Sequence, residues 1–153
     1  MVVVEMKWIT WVPRVSGGLS FLGSSLIIYI MVSSNRKRDL TKPKNRLMLS
    51  MSFFDLFQSS AFVVGRSAMP RETGLYGSAG NSRTCTVQGA FVGLGFAVMQ
   101  YNASLNLFYL LTIYFKMDQA YFSAKIEPFL HTFSIMGPLI ATTRNIILGN
   151  FKP

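Results

Sequence analysis

Long apolar runs alternate along the chain with short polar, charged segments. Four runs approach the length that crosses a bilayer, since about 20 helical residues at a ~1.5 Å rise cover its ~30 Å hydrocarbon layer. They lie at about 11–32, 47–64, 87–114 and 128–148. The pattern predicts an all-α membrane protein with four transmembrane helices, a single transmembrane domain over residues 1–153. A loop at 33–46 separates the first two runs and a loop at 65–86 the next two. The opening MVVVEMKW holds an acid and no basic leader region, which argues for a retained first span rather than a cleaved signal.

Composition agrees with this pattern. Half of the residues are apolar, 14% are charged and thirteen are Phe. The charges gather between the apolar runs. SSNRKRDLTKPKNR, at 33–46, holds six Lys or Arg and one Asp. Basic loops stay on the cytoplasmic side, so this loop is expected inside, with the N-terminus and the 65–86 loop outside. The loop after the third span is nearly balanced, with Lys116 and Lys125 against Asp118 and Glu127. The net charge of +9 does not point to nucleic acid, because the basic residues flank expected membrane spans.

The second run, LMLSMSFFDLFQSSAFVV, carries Asp55 at its centre. A charge at that depth costs about 2.5–3.5 kcal/mol on the gentler insertion scale, so it needs partners or a use. At about 100° per residue, Ser52, Gln58 and Ser59 fall near Asp55, with Phe53 and Phe57 opposite. Asp55 then reads either as a hydrogen-bonded structural residue or as a functional acid in an internal polar network. In the third run, Gln88, Gly95, Asn102, Asn106, Tyr109 and Ile113 share a stripe expected to face Asp55 across a helix interface. Packing glue is the other reading of those Asn residues.

Small residues mark places of close helix approach: Ser16, Gly17, Ser20, Gly23 and Ser24 on the first run, and Gly89 and Gly93 on the third. Glu127-Pro128 opens the fourth run, with His131 one turn beyond as a possible partner for Glu127. Pro138 is expected to kink that helix. Asn102-Ala-Ser104 matches a glycosylation sequon at a depth where modification is not expected. No metal set, nucleophile triad, phosphate loop or paired carboxylates stand out, so neither an enzyme nor a cofactor is expected. Cys85 is the only cysteine and has no partner within the chain.

Taken together, these stretches resemble the first half of a seven-helix G-protein-coupled receptor. NRLMLSMSFFDL, TCTVQG, YNASLNLFYLLTI and EPFLH are most similar to its cyclic-AMP-receptor-like branch. The resemblance runs from about Ser16 onward and covers spans one to four of seven, a partial seven-helix receptor bundle. It implies a multi-pass plasma-membrane protein with an extracellular N-terminus, an unknown extracellular ligand and a heterotrimeric G protein as partner of the complete receptor. It matches Asp55 to the acid of an internal polar and sodium-binding network, with Asn102, Asn106 and Tyr109 as further members. Cys85 matches the cysteine that bridges to the second extracellular loop, a partner outside this chain. Departures are plain: YLLTIYFKMD lacks an Asp/Glu-Arg-Tyr triplet, the fourth span has no Trp, and Ser24 and Ser25 stand where a first-span Asn is usual. The other reading of the whole is a self-contained four-span membrane protein, such as a small transporter or channel subunit, using Asp55 as an ion or proton site.

Overall fold

The computed structural model describes the backbone of residues 2–33, 40–74 and 76–150. The elements are α1 (Val2–Val32), α2 (Pro43–Val64), α3 (Ser82–Tyr109), the one-turn α4 (Gln119–Tyr121) and α5 (Glu127–Ile147). The described residues form no strand; Pro70 and Gly80 make an isolated bridge. The expected all-helical class and its four long helices are therefore present. Two segments, Trp8–Val32 and Pro43–Ala68, are long and apolar enough to cross a membrane. The expectation of four such segments is met only in part. Gln88, Gln100, Asn102 and Asn106 dilute the hydropathy of α3, as His131, Arg144 and Asn145 do in α5. Arg36, Lys37 and Arg38 of the basic loop lie outside the described residues.

Local chemistry sets the helix ends. Pro43 opens α2, where a missing N–H is harmless. At the far end of α2, the Gln88 amide on α3 donates to the carbonyls of Ala61 (2.8 Å) and Gly65 (2.7 Å), groups a helix terminus leaves unpaired. Asn81 caps α3 by accepting from the Thr84 N–H at 3.0 Å, and the Thr84 hydroxyl accepts from the Asn81 N–H at 2.8 Å. Such a capping box contributes about 1 kcal/mol. The Gly80 N–H donates to the Met69 carbonyl at 2.9 Å, closing the loop that precedes α3. At its other end α3 widens into a π turn, Leu110–Tyr114.

Each long helix packs on the next: α1 on α2, α2 on α3, and α3 on α5. Close approach is narrower than the small-residue pattern suggests. Gly17 and Ser24 are buried, whereas Ser16 and Gly23 are exposed. A Cβ at Gly17 would stand 2.8 Å from the Phe62 Cβ and 3.0 Å from the Ser59 carbonyl. Gly95 receives Gln58, and Gly93 receives Thr142. Pro138 lies inside a continuous α5. The core joins Leu47 of α2, Ala97, Tyr101 and Phe108 of α3, Leu130 of α5 and Phe122 from the connecting turn. Phe108 meets Phe122 edge-on at 5.0 Å, and Phe54 stacks on Tyr101 at 5.9 Å. Outside this core the helices expose large apolar side chains, such as Leu19, Ile113 and Phe129. A soluble monomer rarely leaves so much apolar surface in water.

The glycine contacts yield a paired test. Gly17→Ala drives a methyl into Phe62 and is expected to cost about 1–3 kcal/mol, as overpacking does. Gly18, with nothing within 4 Å of its Cβ position, is expected to accept Ala with unchanged or raised stability. Thermal midpoints of the detergent-solubilised variants measure the difference; equal midpoints would deny the α1–α2 contact.

Candidate functional site

Asp55 sits midway along α2, on the seam with α1. Its Oδ2 accepts three hydroxyls: Ser20 at 2.7 Å and Ser24 at 2.5 Å from α1, and Ser59 at 3.2 Å from the next turn of α2. These bonds replace part of the hydration that a carboxylate loses on leaving water. Ser59 was legible from helical spacing. Ser52 is also buried but has no hydrogen-bond partner for its hydroxyl. Gln58 turns toward α3, against Gly95. Phe53 is exposed as expected, while Phe57 packs edge-on against Phe91 of α3 at 5.4 Å.

The third-run stripe does not meet Asp55. Asn102, Asn106 and Tyr109 are exposed, Tyr109 at 42%, while Tyr101, Ser104 and Phe108 face inward. The network expected of Asp55, Asn102, Asn106 and Tyr109 is corrected accordingly: its partners are the serines of α1. The stripe starts on the α2 interface at Gln88 and Gly95, but one or two turns further along α3 it is Tyr101, about 100° around the helix from Asn102, that meets α2 by stacking on Phe54.

A second polar site ties three helices together near the basic loop. Glu127, 4% exposed, receives the Arg46 guanidinium on both oxygens, from Nε at 2.6 Å and Nη2 at 2.5 Å. Ser123 donates to the same carboxylate at 3.0 Å. The His131 Nε2 lies 3.5 Å from Glu127, the i,i+4 pairing suggested by the spacing, and its Nδ1 is 2.9 Å from the Tyr101 hydroxyl. Burial pushes the Glu127 carboxyl up, but bonds from Arg46 and Ser123 and the charges of Arg46 and His131 outweigh it, holding the group below the usual carboxylate range. The sequence offered only half of this arrangement: Arg46 read as one more loop charge. A bidentate guanidinium suits a buried carboxylate because its fork matches both oxygens.

At the opposite end, Arg14 donates to the Ser67 hydroxyl at 2.5 Å and lies over the Trp11 ring, 5.5 Å from its centroid. Cys85, one turn into α3, is half-buried and unbridged among the described residues. It borders a groove of about 680 Å³ between α3 and α5, with Gln88, Gly93, Phe96 and Thr142 in its walls. Among the described residues no cluster of His, Cys, Asp or Glu could hold a metal ion. No protein-family model matches the chain, and no curated protein or solved structure matches it.

Removing one partner of a buried ion pair typically costs about 3–5 kcal/mol, because the other charge is stranded. Arg46→Ala, which strands the buried Glu127, is expected to lower stability by about 3 kcal/mol, Glu127→Ala by less because the Arg46 side chain is 36% exposed, and the double variant by less than their sum. A double-mutant cycle on thermal unfolding in detergent checks this; additive losses would show that the contact contributes nothing.

Proposed function

We propose that this chain is a membrane-embedded four-helix unit, and that it forms the N-terminal portion of a seven-helix G-protein-coupled receptor of the cyclic-AMP-receptor-like kind. The observation that carries the reading is Asp55, held mid-helix by Ser20, Ser24 and Ser59 at the α1–α2 seam. An acid at such depth is a functional candidate by default. The sequential packing of the long helices and their exposed apolar flanks support immersion in lipid. In this reading the N-terminus is outside and the 33–46 loop faces the cytoplasm. An extracellular ligand and a heterotrimeric G protein are the partners of the complete receptor. Asp55 belongs to the polar network that couples them, and Cys85 awaits a partner in the second extracellular loop.

Three expected outcomes test this reading. Tags fused before Met1 and after Pro153 are both reachable by antibody on intact cells; one-sided labelling would refute four crossings. The coding sequence beyond Pro153 continues into three further spans with an early extracellular cysteine. A stop codon there, with a stable self-assembled product, would favour a small transporter or channel subunit instead. In the complete receptor, Asp55→Asn changes sodium sensitivity or G-protein coupling. Unaltered signalling and salt response would remove its role.

A further inference from the structure

At the end of the bundle that holds the basic loop, α1 and α2 diverge around a pocket of about 390 Å³. Its walls divide chemically. Ile27, Ile30 and Met31 of α1 and Met48 of α2 form an apolar side, and Lys42 and Lys44 stand at the rim. Both lysines are exposed. In sequence the pocket adjoins Arg36, Lys37 and Arg38, in a segment whose charges are six basic against one acidic.

An apolar trough topped by ammonium groups at the end of two apolar helices fits one kind of molecule. We propose that this pocket binds an anionic phospholipid of the cytoplasmic leaflet, its headgroup phosphate between Lys42 and Lys44 and an acyl chain along Ile27, Ile30, Met31 and Met48. The charge is complementary, since anionic lipids concentrate on the cytoplasmic face and attract juxtamembrane basic residues. The shape is complementary too. A free phosphate would satisfy the lysines but leave the apolar wall exposed, whereas a phospholipid covers both. The inference rests on the orientation given above, in which the basic loop faces the cytoplasm, but it does not require that the protein be a receptor.

The test uses the full chain in a mild non-ionic detergent, supplemented with phosphatidylserine or with phosphatidylcholine of the same acyl chains. Phosphatidylserine is expected to raise the thermal midpoint more than phosphatidylcholine does, through binding to the folded state. Lys42→Gln and Lys44→Gln are each expected to weaken the phosphatidylserine response about fivefold in concentration, and the pair to abolish the preference. Equal responses to the two lipids, or an unchanged preference in the double variant, would overturn the proposal. Glycerol phosphate and inorganic phosphate separate headgroup from lipid: a full response to either would show an anion site without a lipid chain. Failure of the orientation itself reads out separately, as terminal tags that antibody reaches on neither end of the chain in intact cells.

Discussion

A carboxylate removed from water has to be met by other groups, and in this bundle the Arg46–Glu127 pair is where that requirement shapes the fold most. The two residues come from the start of α2 and the start of α5, helices that otherwise meet chiefly through α3. Glu127 is almost fully buried, so without Arg46 its charge would carry a desolvation penalty of several kcal/mol. The guanidinium and Ser123 occupy its oxygens, His131 stands beside them, and Tyr101 links His131 to α3. The aromatic and aliphatic core of Leu47, Phe108, Phe122 and Leu130 gathers at the same end. Polar pairing and apolar packing therefore select the same rotation and height for α2, α3 and α5.

Asp55 solves the same problem by a different route. It has no cation among its hydrogen-bond partners; three hydroxyls converge on one of its oxygens. Hydroxyls are small, and small residues let α1 approach closely enough for Gly17 to rest on Phe62. The close approach and the carboxylate's partners are thus one feature, because larger side chains on α1 would hold the serines out of reach. That difference separates the two sites: a guanidinium meets Glu127, and three hydroxyls meet Asp55.

The two ends of the bundle also differ in their electrostatics. Arg14 at one end is turned inward, onto Ser67 and Trp11. Lys42 and Lys44 at the other end remain at the surface, beside an apolar trough. A bilayer whose charged lipids lie on one side would treat these ends differently.

The order and type of the long elements were legible in the sequence, because helical periodicity and apolar run length are local properties that any stretch of chain displays on its own. The same locality exposed Asp55 as an expensive residue, placed Ser59 beside it and put His131 one turn from Glu127. Partners across helix interfaces were not legible. A helical wheel shows which residues share a face but not where that face points, so Asn102, Asn106 and Tyr109 formed a convincing stripe that turns outward. Arg46 looked like a loop charge until α5 brought Glu127 to it across 81 positions. Tertiary structure alone decides such pairings, since they depend on the rotation and axial shift of one helix against another, and these are set by the fit of the whole interface.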